Sequence, residues 1–140
     1  MAAALDVEIS FDPLRIDFVS AAHLLSETYW GKGRNEGDQL NAFGNSLCGA
    51  AFFEGRQIGF GRAITDRVFF AHLCDIMVWP DCRERGVGKR LVKAFLDHPD
   101  LSRVGSWSLN TRDAHQLYER FGFARSADGN TMRLSRSPDR

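Results

Sequence analysis

A strand-like apolar run, Leu73 to Trp79, stops at Pro80; two close glycines set among arginines follow, and an amphipathic helix starts at once. The block reads Val78-Trp79-Pro80-Asp81-Cys82-Arg83-Glu84-Arg85-Gly86-Val87-Gly88-Lys89-Arg90-Leu91. It gathers bare backbone N–H groups, positive side chains and the positive end of a helix in one place, which is how a protein holds a phosphate without a metal. The helix that follows carries Val87, Leu91, Val92 and Phe95 on one face, the pattern of a helix laid on a core. Strand, phosphate-holding turn and covering helix are therefore expected as one unit.

The rest of the chain limits the classes. Its 140 residues make one expected domain, 1–140, large enough to bury an ordinary core. With 44% hydrophobic and 26% charged residues it has the balance of a soluble globular protein. Lys+Arg and Asp+Glu are both 18, so no global field recruits nucleic acid or an anionic membrane. Neither is expected as a partner, and any basic site must be local. The apolar stretches fall short of the roughly 20 residues of a membrane helix. Met1 to Glu8 lacks the basic start and long apolar core of a secretory signal, so a cytoplasmic location is expected. Cys48, Cys74 and Cys82 are odd in number and lack metal-ligand spacing; free thiols in a reducing compartment and no bound metal are expected. Cys82, beside Arg83, is the thiol to test for reactivity.

Along the chain, Val7 to Phe11 alternates as an edge strand. Asp12-Pro13 reads as a capped helix start, with Leu14, Phe18, Ala21, Ala22 and Leu25 at helical spacing to about Glu27. Tyr29-Trp30-Gly31-Lys32-Gly33-Arg34 is a glycine-punctuated loop, and a second helix runs from Glu36 to about Phe43. Leu47 to Phe53 and Gln57 to Ile64 form a hairpin about Glu54-Gly55-Arg56. Val68 to Trp79 is a long strand with room for a bulge, and the glycine block and its helix follow. Val104 to Leu109 is a strand, Ala114 to Phe121 a helix closed by Gly122, and Phe123 to Leu134 a hairpin around Asp128-Gly129-Asn130. The order β-α-α-β-β-β-α-β-α-β-β predicts an α/β fold in the broad sense, a mixed sheet with helices on its faces.

Two familiar phosphate loops fail. A Walker A loop needs glycine where Arg83 stands and Ser or Thr where Arg90 stands. A dinucleotide fingerprint needs a third glycine where Leu91 stands. What survives is Val78-x-Pro80 followed by Arg83-x-x-Gly86-x-Gly88 and a helix opening on a basic residue and leucine. This resembles the acetyl-CoA signature of the GNAT N-acetyltransferase superfamily. Ala114-His115-Gln116-Leu117-Tyr118-Glu119-Arg120-Phe121-Gly122-Phe123 is similar to that family's second block. The spacing and strand order fit as well, so the resemblance covers nearly the whole chain.

The resemblance implies a mostly antiparallel sheet whose two central strands splay apart to receive the pantetheine arm of acetyl-CoA. Arg83, Glu84, Arg85, Gly86, Val87, Gly88 and Lys89 would hold the pyrophosphate, with Arg90 and Lys93 adding charge. Backbone groups of Ile76, Met77 and Val78 would bond the pantetheine, one N–H would polarise the thioester carbonyl, and a bulge near Asp75 to Met77 would free them. Where the family often has asparagine this chain has Thr111, one place after Asn110, so either could contact the arm, beside Ala114. Tyr118 falls at the family's general-acid position. His72, spaced like a catalytic glutamate of some members, and Asp75 are candidate bases, with bulk water as a third option. The acceptor would be a primary amine of a small molecule or polypeptide, meeting Tyr29, Trp30, Lys32 and Arg34. The family often pairs, so a homodimer is open. A non-catalytic acyl-CoA-binding module is the alternative; Tyr118 favours the enzyme.

Overall fold

The computed structural model describes residues 3–137. Its elements follow the expected order: β1 Glu8–Ser10, α1 Phe18–Leu25, α2 Glu36–Gly44, β2 Leu47–Phe53, β3 Arg56–Thr65, β4 Phe70–Val78, α3 Val87–Leu96, β5 Ser106–Asn110, α4 His115–Glu119, β6 Ala124–Arg125 and β7 Thr131–Ser135. All seven strands form one sheet in the order β1-β2-β3-β4-β5-β7-β6. Every neighbouring pair is antiparallel except β4 and β5. Those two are joined by the α3 crossover, the connection a parallel pair requires. Among the described residues no helix is long and apolar enough to cross a membrane.

Helix α3 seals one face of the sheet. Val87, Leu91, Val92 and Phe95 are all buried, with Ala51, Ile58, Leu73 and Leu109 among the residues beneath them. Each large side chain so buried contributes about 1.5–3 kcal/mol. Helices α1 and α2 cover the other face, where Ala21, Leu25 and Phe43 pack with Phe60 and Met77.

Several boundaries depart from expectation, and three show why. The first helix starts at Phe18, not after Asp12. Asp12 Oδ1 instead accepts the N–H of Leu14 at 2.9 Å in a turn, and Leu14 is 94% exposed. Asp17 is the true cap: its carboxylate accepts from the Ser20 N–H at 3.0 Å and hydroxyl at 2.7 Å, and Gln57 clamps the Asp17 backbone N–H and carbonyl. Strand β4 starts at Phe70, not Val68, because Asp66 Oδ1 accepts the N–H groups of Val68, Phe69 and Phe70. Strand β5 starts at Ser106 rather than Val104, whose buried side chain packs ahead of the ladder.

The irregularity that positions everything else lies in β4. Arg62 pairs with Cys74 and Phe60 with Met77, so Asp75 and Ile76 together oppose Gly61: a bulge. Asp75 takes the left-handed conformation at φ 57°, tolerable for aspartate but rare for most residues. The extra residue reverses which positions face α3. Ahead of it Ala71 and Leu73 do; beyond it Ile76 and Val78 do, while Met77 joins the opposite face. Gly61 makes this possible, since a Cβ there would drive into Cδ1 of Ile76 and stand 3.2 Å from Phe95. Gly61→Ala is therefore expected to cost about 1–3 kcal/mol by overpacking, read as a lower denaturant midpoint. Ile76→Val in the same chain should recover part of it; a neutral Gly61→Ala would refute the tight fit.

Candidate active site

Strands β4 and β5 pair from Phe70↔Ser106 to Leu73↔Leu109 and no further. Beyond that point β4 runs on to Val78, while the chain turns off after Asn110, held by the Thr111 N–H to the Asn130 carbonyl at 2.8 Å. The edge of β4 from Cys74 to Val78 is thus left without a strand neighbour. The divergence opens a cavity of about 490 Å³. Of the residues singled out by sequence, Tyr29, Trp30, Arg34, His72, Asp75, Ile76, Asn110, Thr111, Ala114 and Tyr118 line it. Lys32 and Met77 do not, Met77 being buried against α1 and α2.

The glycine block lies past the far end of β4. A 3₁₀ turn, Pro80–Cys82, leads into Arg83, and Glu84 and Gly86 both take positive φ, 62° and 81°. This crooked path turns the chain so that none of the backbone N–H groups from Arg83 to Lys89 reaches an acceptor among the described residues. They stand at the N-terminus of α3, where the helix dipole adds to their pull on an anion. Several of the basic side chains are already engaged. Arg85 Nε donates to the Ala3 carbonyl at 2.6 Å, Arg90 Nη2 donates to the Val7 carbonyl at 2.9 Å, and Lys93 pairs with Asp97 at 2.7 Å. Arg85 and Arg90 therefore hold down the N-terminal segment, whose Leu5 N–H in turn donates to the Arg85 carbonyl. Lys89 keeps no carboxylate partner among the described residues, and Arg83 Nε rests on the Val78 carbonyl at 3.3 Å.

Asp75 is corrected from a candidate base. Its side chain is fully enclosed. Oδ1 accepts from Trp30 Nε1 and Arg34 Nη1, both at 3.0 Å; Oδ2 accepts from Arg62 Nε at 2.7 Å and Arg34 Nη1 at 3.1 Å. A carboxylate that already accepts from two guanidiniums and an indole is committed to holding those groups together. The bulge does turn it to His72's side of the sheet, as a base would require, but the arginines reach it first.

His72 and Tyr118 are differently placed. His72 Nδ1 lies 2.8 Å from Ser108 Oγ on the paired strand β5. Burial, with the positive charge of Arg62 second, holds its pKa below the ordinary imidazole value. The neutral ring, with Nδ1–H donating to Ser108, would leave Nε2 as an acceptor. Tyr118 is 7% exposed, and burial first, then nearby Tyr29 and Asp113, pushes its phenol well above the usual range. Its hydroxyl has no hydrogen-bond partner among the described residues. At the rim, the Arg112 guanidinium sits 3.7 Å from the Tyr29 ring centroid, and Tyr29 meets Trp30 edge-on. Thr111 Oγ1 accepts the Ala114 N–H at 3.0 Å, and Asn110 Oδ1 accepts from the Thr131 hydroxyl at 3.0 Å.

Sequence reasoning missed Arg62, Ser108, Arg112, Asp113 and Asn130. Arg62 alone left a trace, as a charge set within the run Ile58 to Ile64, otherwise apolar and glycine-rich.

Residues 44–125 match the family model described as an acetyltransferase (GNAT) domain. A putative GNAT-family acetyltransferase from Xanthomonas campestris pv. campestris, solved as a crystal structure, is 38% identical over 89% of each chain, with a TM-score of 0.82. An aminoglycoside 6'-N-acetyltransferase complexed with coenzyme A shares the fold at 18% identity and TM-score 0.72, over 94% of this chain and 99% of that one. An uncharacterised N-acetyltransferase, ycf52, of Pyropia yezoensis is 27% identical over 73 residues, 51% of this chain; the match spans 42% of that protein, less than half its length. The chain belongs to the GNAT acetyltransferase family and is an acyltransferase enzyme.

The three cysteines are free, as expected, with Cys48 and Cys82 buried and Cys74 half-buried. Burial raises Cys48 to about 12 and Cys74 to about 11. Cys82 is buried and raised as well, by burial first and Asp81 next, so Arg83 does not activate it. At pH 8, alkylation of Cys48 and Cys74 should run at least about a hundredfold slower than that of a free thiol, with Cys82 showing no enhancement. Rapid labelling of any of them by mass spectrometry would contradict these environments.

Proposed function

We propose that the enzyme transfers the acetyl group of acetyl-CoA directly to a primary amine within a ternary complex. The observation that carries this reading is the unpaired edge of β4, continued at its end by the acceptor-free N–H groups of Arg83 to Lys89. An arm bearing amides suits the first and a pyrophosphate suits the second. Arg83, Glu84, Arg85, Gly86, Val87, Gly88 and Lys89 would meet the pyrophosphate chiefly through backbone N–H groups, with Lys89 supplying charge. Ile76, Met77 and Val78 would bond the pantetheine through their backbones, flanked by Asn110, Thr111 and Ala114. The coenzyme A held by the aminoglycoside 6'-N-acetyltransferase of the same fold supports this choice of donor.

The chemistry then divides between two side chains. The amine nitrogen attacks the thioester carbonyl, the C–S bond breaks, and the departing thiolate needs a proton. Tyr118, buried and kept protonated, gives it. The attacking amine must lose a proton as it forms the amide, and His72 Nε2 accepts it directly or through water. Arg62 serves both ends: it pairs with Asp75, and its charge adds to burial, the larger cause, in favouring the neutral His72 that can act as a base. Tyr29 and Trp30 would receive the acceptor at the open rim, a small amine or a polypeptide.

A thiol-release screen with acetyl-CoA across amino acids, polyamines, aminoglycosides and peptide N-termini tests the reading. CoA at 100 times its dissociation constant should also stabilise the fold by about 2.7 kcal/mol, seen as a raised melting temperature. Tyr118→Phe should lower kcat by about 10²–10⁴-fold while leaving CoA binding intact; unchanged turnover would remove Tyr118 from the chemistry. Because burial and Arg62 depress the His72 pKa, its base form persists down to below the ordinary value of about 6.5. Activity at saturating acceptor should therefore hold steady through neutral pH and fall only on the acid side of that value. His72→Ala should lower the plateau and flatten that limb. An unaltered limb in the variant would assign it elsewhere.

A further inference from the structure

The loop between α1 and α2 is braced within itself. Thr28 Oγ1 donates to the Leu25 carbonyl at 2.7 Å and accepts the Gly31 N–H at 3.0 Å; the Arg34 N–H donates to the Gly31 carbonyl at 3.1 Å. Gly31 packs so tightly on the Leu25 carbonyl that a Cβ would collide with it. The loop therefore moves as a piece, and its contacts with the sheet decide where that piece sits. The polar contacts are few and converge on one atom group. Trp30 Nε1 and Arg34 Nη1 both donate to the Asp75 carboxylate, more than forty positions away in sequence, from which Arg62 continues to Ser46 at 3.0 Å. Asp75 is also the bulged residue, at φ 57°, so the groups that hold its carboxylate hold the bulge.

We infer that Asp75 is a positioning residue: its carboxylate pins the Tyr29–Arg34 loop to the bulge of β4, setting the acceptor's rim in register with the strand edge that would carry the thioester. The inference rests on the function proposed above for what the two sides bind, but the pin itself concerns only this chain. The groups facing the carboxylate are cationic or neutral donors: Arg34 and Trp30 from the loop, Arg62 from β3. Arg34 is 35% exposed, with its Nε and Nη2 unbonded among the described residues, whereas Arg62 is only 11% exposed. Removing Arg34 should loosen the loop while leaving the folded sheet in place. Asp75→Asn puts an amide donor against guanidinium donors and is the harsher change.

Hydrogen exchange followed by mass spectrometry, on Arg34→Gln and Asp75→Asn with and without CoA, decides the matter. Both variants should exchange the 27–35 segment at least about tenfold faster, with α3 unchanged. CoA affinity should stay within about twofold for Arg34→Gln, because its grip lies at the other end of β4. If Asp75→Asn fails to fold, Arg34→Gln with Trp30→Phe carries the test, since both remove donors to the same carboxylate. Unchanged exchange of the segment in a folded variant would overturn the pin. Kinetically, any amine acetylated in the screen should show its KM raised about tenfold in Arg34→Gln with kcat and the acetyl-CoA KM little changed. A fall in kcat alone, with the acid limb lost in Asp75→Asn, would make Asp75 a base and overturn the positioning role. A screen in which no amine responds would remove the proposed reaction; the exchange result would still decide the pin.

Discussion

Two residues facing one, Asp75 and Ile76 against Gly61, are the constraint on which the rest of this structure depends. A regular β4 would alternate without interruption and offer its whole length to a parallel neighbour. The inserted residue bends the strand and exchanges its faces, so Ile76 and Val78 pack beneath α3 in place of the positions that continue Ala71 and Leu73. A left-handed non-glycine residue costs on the order of 1–3 kcal/mol where it stands. Here the cost is offset by charge-assisted hydrogen bonds from two arginines, which the same conformation makes reachable. Strain, cavity and charge network are thus one feature seen from three directions.

Charge in the cavity is economical. Asp75 is outnumbered by Arg34 and Arg62, and of the two it is Arg62 that acts on His72, second to burial. A buried carboxylate with one arginine would close on itself; with two it leaves a positive residue in the field. That charge opposes a second cation nearby and so adds to burial in favouring a neutral imidazole at His72. The buried phenol of Tyr118, pushed the other way by burial and by Asp113, stays a donor. Opposite shifts in two groups of one cavity are what the proposed division of acid from base would need.

Much of this could be read from the residues in order. The β2–β3 hairpin, the bounds of α3 and the glycine loop follow from periodicity and turn chemistry that act locally, and the bulge near Asp75 was expected from the family resemblance. What escaped was set by distant partners. Asp12-Pro13 has every local mark of a helix start, yet Gln57 on β3 fixes the entry at Asp17. Arg85 and Arg90 read in sequence as charge for a phosphate, with no sign that residues 3–7 also draw on their side chains. Asp75 looks like a base because a sequence shows a carboxylate near a histidine but not the guanidiniums that close over it. Polar side chains commit to whichever partner the fold delivers, and no pattern within one segment declares that.

The bracing of the glycine loop joins the two ends of a long stretch of chain: Ala3, Leu5 and Val7 meet Arg85 and Arg90. During synthesis these first residues emerge early and must wait, unpartnered, until the helix they support has left the ribosome. Contacts of such sequence separation form late because the loop they close is long. The glycine-loop end of the sheet is then among the last parts to be completed. Substitutions that loosen residues 3–7, far in sequence from the glycines, would be felt first where the loop is held.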